Sequence, residues 1–100
     1  MEKSATKVAV IGAGSWGTAL AYVAAQRCQE VVCYGRDSRV IAEINGYHRS
    51  SKVGSDLVLP LNLRATAQAV DVALSDLFII ALPAQAVRSV IVELKPVELL

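Results

Sequence analysis

The chain has 100 residues, of which 54% are hydrophobic and 19% are charged, and its formal net charge is +1. This length is typical of one domain with a real core. The small net charge excludes capture of nucleic acid by bulk electrostatics, and the hydrophobic content excludes an intrinsically disordered chain. Cys28 and Cys33 lack the spacing of metal ligands, so we predict no metal site and expect reduced thiols in a reducing cytosol.

The first long segment, VAVIGAGSWGTALAYVAA at residues 8–25, carries no charge and follows a short head with two lysines. A secretory signal or a membrane helix therefore has to be considered. Three glycines and the polar residues between them lower the hydrophobicity where such a segment needs it highest. We expect no membrane insertion.

The same segment predicts a strand, a glycine turn and a helix. Residues 7–11 form the predicted strand, whose VAVI run is apolar on both faces, as in a covered parallel sheet, and helical spacing of apolar residues begins at Trp16. GAGSWG between them fits G-x-G-x-x-G. In this motif Gly12 permits the tight turn, Gly14 lets the backbone approach a pyrophosphate, and Gly17 lets the helix pack closely on the strand. The helix N-terminus then offers unpaired N–H groups to an anion.

The rest of the chain continues the alternation of strands and helices. The predicted elements are a strand at 30–34, a helix at 38–44 that Asn45-Gly46 stops, a loop at 46–62, a strand at 63–66, a helix at 66–74 capped by Thr66, a strand at 77–82, and a helix after Pro83. A loop of this length is either functional or loosely packed. About four alternations predict an α/β fold of the Rossmann type, with a doubly wound parallel sheet and right-handed crossovers.

The residues that follow Tyr34 bear on the choice of cofactor, because ligands of such sheets bind at the carboxyl ends of the strands. A site for NAD usually has an acidic residue there, but this chain has Gly35 and Arg36. Arg36 can stack on adenine and pair with a 2′-phosphate, or it can be a surface arginine. Asp37 either contacts the ribose or caps the next helix. The predicted cofactor is NADP or NAD, and Arg36 favours NADPH.

Three segments resemble one known family. IGAGSWGTALA at 11–21, YGRD at 34–37 and ALPAQAVRSV at 81–90 are similar, in order and spacing, to the N-terminal domain of NAD(P)-dependent glycerol-3-phosphate dehydrogenase. The similarity extends over nearly the whole chain. It implies a cytoplasmic enzyme that reduces dihydroxyacetone phosphate to sn-glycerol 3-phosphate for phospholipid synthesis.

The resemblance also implies which residues contact the cofactor. Ser15, Trp16 and Arg36 would touch it, and Pro83 with Gln85 would line the cleft near the nicotinamide. With the three glycines, the predicted cofactor-binding residues are Gly12, Gly14, Ser15, Trp16, Gly17, Arg36, Pro83 and Gln85. Packing of the aromatic ring on the sheet is the alternative role for Trp16.

Two departures from the family limit this transfer. The family usually shows a tyrosine-leucine-proline-glycine segment after the second helix, whereas this chain has YHRSSKVGSDLVLP. Contacts from that loop are not transferred, and His48, Arg49 and Lys52 are expected to form a solvated face. The sequence ends at Leu100, before the family's helical domain with the catalytic lysine. Residues 1–100 are thus predicted to be the dinucleotide-binding domain only, and none of them is predicted to be catalytic. Binding of a small phosphorylated substrate is expected only when that further domain is present.

Two classes of function remain open. The chain is either the cofactor-binding part of such a dehydrogenase, or a noncatalytic dinucleotide-binding module or truncated product. Among enzymes, another NAD(P)-dependent ketoacid or β-hydroxyacid reductase with the same N-terminal fold is the nearest rival. The apolar face of the last helix, in VIVELKPVELL, predicts a homodimer or an aggregation-prone monomer.

Overall fold

Four parallel strands form a single sheet. The computed structural model describes residues 4–54 and 56–98. Its elements are β1 (Ser4–Ile11), α1 (Ser15–Ala25), β2 (Cys28–Tyr34), α2 (Ser38–Tyr47), β3 (Leu63–Thr66), a 3₁₀ turn (Ala69–Asp71), β4 (Leu77–Ile80) and α3 (Ala84–Glu98). The strand order is β3-β2-β1-β4. This order is that of the first four strands of a dinucleotide-binding sheet, and the predicted fold class is confirmed.

The sheet has a hydrophobic core on each face, because side chains alternate along its central strands. Val8 and Val10 of β1 belong to the core that α1 and α2 cover. Ala9 and Ile11 belong to the opposite core, which includes Leu94 of α3. The sheet is therefore doubly wound, and its central strands are apolar on both faces, as their sequence predicts.

The end of α2 differs from the prediction. Asn45-Gly46 does not stop this helix, which continues to Tyr47 and is followed by His48 in the left-handed conformation, with φ 55°. The Asn45 side chain is instead bonded to the backbone of β3. Its amide donates to the Ala65 carbonyl at 2.8 Å, and its oxygen accepts from the Ala65 N–H at 2.8 Å. Asn45 thus occupies the free edge of β3 with a pair of bonds that resembles strand pairing.

The predicted helix after β3 is also wrong. Thr66 is the last residue of β3, and its hydroxyl accepts from the Gln68 N–H at 3.0 Å and donates to Asp71. This local turn leads into the short 3₁₀ segment instead of an α-helix. Val70 and Leu74 are largely exposed, so the apolar face that would have stabilised a helix here is not buried against the sheet.

β4 is shorter than predicted and lies at an edge of the sheet. It ends at Ile80 rather than at residue 82, and among the described residues it pairs only with β1. Its terminal residues Leu77 and Ile80 are 51% and 40% exposed. Although β4 is the most hydrophobic strand in sequence, it is therefore less covered than β2, the other neighbour of β1.

Both cysteines are free thiols, and Cys33 lies fully inside the core. Burial raises the pKa of the Cys33 thiol to about 12, since the thiolate would lose its hydration there. Across residues 4–54 and 56–98, none of the helices combines the length and hydrophobicity required to cross a bilayer.

Replacement of Asn45 by alanine tests the contact between α2 and β3. Asn45→Ala leaves both backbone groups of Ala65 without their partner, and we expect the free energy of unfolding to fall by about 1 kcal/mol in urea denaturation. Asn45→Asp, which keeps the acceptor but not the donor, should lie between wild type and alanine. Unchanged stability of Asn45→Ala would contradict this role.

Candidate dinucleotide-binding site

Two glycines set the distance between α1 and the end of β1. Gly12 has φ 126°, and a Cβ atom there would lie 2.4 Å from the Ala81 carbonyl oxygen. A Cβ atom on Gly17 would lie 2.0 Å from the carbonyl oxygen of Gly12. A side chain at either position would overlap with backbone atoms, so both glycines serve the packing of the turn.

The N-terminus of α1 is open to a ligand. Gly14 is the N-cap residue, no side chain caps the helix, and its first turn contains no acidic residue. The Thr18 N–H makes the first helical bond, to the Gly14 carbonyl at 2.9 Å, which leaves the preceding N–H groups without partners in the helix. A Cβ atom on Gly14 would meet nothing within 4 Å. An anion can therefore approach these N–H groups closely.

Backbone contacts join the carboxyl ends of three strands. The Gly12 N–H donates to the Tyr34 carbonyl at 2.8 Å, and the Ala81 N–H donates to the Ile11 carbonyl at 2.9 Å. A Cβ atom on Gly35 would lie 2.8 Å from the Cβ atom of Ala13. Gly35 is thus a further packing glycine, and it holds the segment after β2 against the glycine turn.

A cleft with a volume of about 380 Å³ lies where these ends meet. Its walls come from the glycine turn, the segment after β2, the loop between α2 and β3, and α3. The lining residues include Gly12, Ala13, Gly14, Tyr34, Gly35, Arg36, Asp37, Lys52, Leu82, Ala86, Ser89 and Val90. This volume is within the range of small-molecule sites.

The end of the cleft beside β2 carries charged groups. Arg36 donates to Oε1 of Glu93 on α3 at 2.7 Å, and the Tyr34 hydroxyl donates to Oε2 of the same carboxylate at 2.7 Å. Burial and the hydrogen bond to Glu93 raise the pKa of Tyr34 to about 12, so its hydroxyl stays a donor at neutral pH. The side chain of Lys52 makes no hydrogen bond or ion pair with the described residues. Lys52 is exposed to solvent, as its sequence context predicts, and it also lines the cleft.

Asp37 caps α2. Its Oδ1 accepts from the N–H groups of Arg39 at 3.0 Å and Val40 at 3.4 Å. The capping interpretation is confirmed. Both bonds use Oδ1, and Asp37 is also among the residues that line the cleft.

The predicted site residues fall into two groups. Gly12, Gly14 and Arg36 line one cleft, although 22 or more residues separate the glycines from Arg36 in the sequence. The other five, Ser15, Trp16, Gly17, Pro83 and Gln85, do not line it. Trp16 is 69% exposed, so the alternative that its ring packs on the sheet is wrong. Ser15, Pro83 and Gln85 are exposed, and each directly adjoins a lining residue in sequence.

The residues of the cleft fit a dinucleotide. The helix N-terminus without a cap and the bare backbone at Gly14 suit a pyrophosphate, and the space that a Cβ atom would enter at Gly14 is empty. Arg36 and Lys52 are cations at the same cleft. Among the described residues, no group of three or more histidine, cysteine or acidic residues has the arrangement of a metal site.

Comparison with known proteins identifies the family. A family model described as the N-terminus of NAD-dependent glycerol-3-phosphate dehydrogenase matches residues 7–98. The chain belongs to this family. A glycerol-3-phosphate dehydrogenase [NAD(P)+] of Parvibaculum lavamentivorans is 39% identical over 90 residues, and one of Staphylococcus carnosus is 41% identical over 87 residues. These matches cover 90% and 86% of this chain.

A solved structure agrees with this assignment. The crystal structure of glycerol-3-phosphate dehydrogenase from Coxiella burnetii superposes with a TM-score of 0.81 and 29% sequence identity, over 92% of this chain and 29% of that chain. The chain spans 27% of the length of the Parvibaculum relative and 26% of that of the Staphylococcus relative. The comparison thus concerns the N-terminal, cofactor-binding part of these enzymes.

The glycines of the turn are expected to respond differently to alanine. Gly17→Ala places a methyl group against the Gly12 carbonyl, so the free energy of unfolding should fall by about 2 kcal/mol in urea denaturation. Gly14→Ala, whose methyl group meets open space, is the matched control and should stay within about 0.5 kcal/mol of wild type. Equal losses in the two variants would contradict the packing role of Gly17.

Proposed function

We propose that residues 1–100 form a dinucleotide-binding domain of an NAD(P)-dependent glycerol-3-phosphate dehydrogenase, which interconverts dihydroxyacetone phosphate and sn-glycerol 3-phosphate. The family match and the relatives' names support the reaction. The observation that carries the binding role is the meeting of an uncapped helix N-terminus at Gly14 with Arg36 in one cleft.

Each part of the cleft has a role in this proposal. The N–H groups that follow Gly14, including that of Ser15, bind the pyrophosphate, while Gly12 and Gly17 hold α1 close to β1. Pro83 and Gln85 at the start of α3 lie near the nicotinamide, and Trp16 contacts the cofactor from the first turn of α1. The bound nicotinamide supplies the hydride. The residues of this chain bind and orient it.

Proton transfer to the substrate needs other groups. Reduction of a ketone requires a group that polarises and protonates the carbonyl oxygen as negative charge develops. We assign this task, and binding of the phosphorylated substrate, to the part of the relatives that this chain does not match. The domain by itself then binds the cofactor without turnover. By the same resemblance, we propose a role in supplying glycerol 3-phosphate for phospholipid synthesis in the cytoplasm.

The preferred cofactor in this proposal is NADPH. The segment after β2 has Arg36 where an acidic residue would favour NAD, and Lys52 adds a second cation to the cleft. Two cations suit the charge of a 2′-phosphate. Arg36 also presents a planar group that can stack on adenine.

Titration calorimetry with NADPH and NADH tests the binding function. The wild-type chain should bind both, and Gly14→Val should abolish binding of both because its side chain occupies the path of the pyrophosphate. Lys52→Gln should weaken NADPH about fivefold, with NADH nearly unchanged, since only the 2′-phosphate needs the cation. Arg36→Glu should weaken NADPH more than Lys52→Gln does. A folded wild-type chain that binds neither nucleotide would refute the proposed function.

Self-association is the second property that we propose. An apolar groove of about 100 Å³ between β4, the 3₁₀ segment and α3 is lined in part by Phe78, Ile80 and Ile91, and Ile91 is 42% exposed. Continuous apolar surface of this kind favours association of soluble proteins.

Light scattering over a range of concentrations tests this second property. The average mass should rise with concentration, and Ile91→Glu should reduce that rise because a carboxylate cannot be buried without a partner. A wild-type chain that stays monomeric at the highest concentration would refute self-association.

A further inference from the structure

The carboxylate of Glu93 is fixed at two points beside β2. One oxygen accepts from the buried Tyr34 hydroxyl and the other from the exposed guanidinium of Arg36, both at 2.7 Å. Tyr34 is 5% exposed and ends the strand β2, so it anchors the carboxylate to the rigid sheet. The negative charge of Glu93 therefore lies beside the positive charge of Arg36, which follows β2 in the sequence.

The position of Glu93 along α3 puts it on the side of the helix that faces the cleft. Ala86, Ser89 and Val90 line the cleft. Residues three or four apart lie on one face of a helix, and Glu93 is the next residue in this series. Glu93 itself does not line the cleft, but it contacts Tyr34 and Arg36, which both line it.

We propose that Glu93 reduces the preference of the cleft for NADP(H) by opposing a 2′-phosphate at its adenosine end. This inference rests on the proposed function of the cleft as a dinucleotide site. Two effects act in the same direction. The carboxylate holds the guanidinium that a 2′-phosphate would bind, and its charge repels a phosphate that comes near. The preference for NADPH that Arg36 and Lys52 create is thereby smaller than these cations alone would give.

The same carboxylate is compatible with an unphosphorylated ribose. Dinucleotide sites that select NAD use an acidic side chain at this end to accept hydrogen bonds from ribose hydroxyls. In this chain Asp37 is the acidic residue after β2, and its Oδ1 caps α2 while the residue lines the cleft. Glu93 differs from such an acid, because its two oxygens already accept from Tyr34 and Arg36.

The specificity role can be separated from a role in stability. The side chains of Arg36 and Glu93 are 69% and 35% exposed, and an ion pair so accessible to water adds little to stability. Glu93→Gln keeps the size of the side chain and an oxygen that can accept from Tyr34. We expect this variant to fold and to melt within about 3 °C of wild type.

The experiment uses two ligands that fill only the adenosine end, AMP and adenosine 2′,5′-bisphosphate, with calorimetry at one fixed ionic strength. Glu93→Gln should tighten binding of the bisphosphate about fivefold and change that of AMP less than twofold. In a variant that already carries Arg36→Gln, the further substitution Glu93→Gln should tighten binding of the bisphosphate clearly less, because no guanidinium is there to be released.

Glu30→Gln is the matched control. Glu30 pairs with Arg64 at 3.0 Å, with side chains 38% and 43% exposed, and neither residue lines the cleft. This substitution makes the same change in net charge. It should leave the affinity ratio of the two ligands unchanged, which distinguishes a local effect of Glu93 from an effect of total charge.

The outcomes separate this inference from the proposed function. If the wild-type chain binds AMP and Gly14→Val keeps its effect on NADH, but Glu93→Gln leaves the affinity ratio unchanged, the inference is overturned and the dinucleotide site stands. Parallel loss of both affinities with a lower melting temperature would give Glu93 a structural role only, which also overturns it. If no nucleotide binds to the folded wild-type chain, both proposals are wrong.

Discussion

The candidate site depends on one contact between backbones, that of Gly17 in α1 with the carbonyl group of Gly12. This contact exists because neither residue has a side chain, and a single Cβ atom on Gly17 would lie 2.0 Å from the carbonyl oxygen. It brings the start of α1 directly over the end of β1. The partial positive charge of the helix N-terminus and the unpaired N–H groups after Gly14 then belong to the cleft rather than to bulk solvent.

At the opposite end of the cleft, the constraint is the arrangement of charged side chains rather than the close packing of backbones. Arg36 and Lys52 come from two different loops, and Glu93 comes from a helix much later in the chain. Tyr34 connects this group to the sheet through a hydroxyl that remains protonated at neutral pH. The affinity of this end for an anion therefore depends on the balance between the cations Arg36 and Lys52 and the carboxylate of Glu93, and no single residue determines it.

The fold and part of the cleft could be predicted from local patterns in the sequence, because these patterns depend on neighbouring residues. The glycine spacing, the apolar strands and the cap formed by Asp37 are of this kind. Several of the misses involve partners distant in sequence, whereas the helix predicted after β3 is replaced by a local turn of Thr66 with Gln68 and Asp71. Asn45 reads as a helix stop until its bonds to Ala65 are known. Nothing near Lys52 indicates that it lines the cleft, and nothing near Glu93 indicates that it pairs with Arg36. Exposed charges carry no periodic signal that would place them.

Because β1 lies at the centre of the sheet, the two ends of the cleft are expected to form at different times during folding. β1 pairs on one side with β2, which is close in sequence, and on the other with β4; the Lys7 N–H bonds to Asp76, 69 residues away. Closing the longer loop costs more chain entropy and slows folding. The unit of β1, α1 and β2 is thus expected to be native first, with its glycine turn, and the helix that bears Glu93 to dock last. The helix N-terminus at Gly14 is then in place before α3 adds Glu93 and one wall of the cleft.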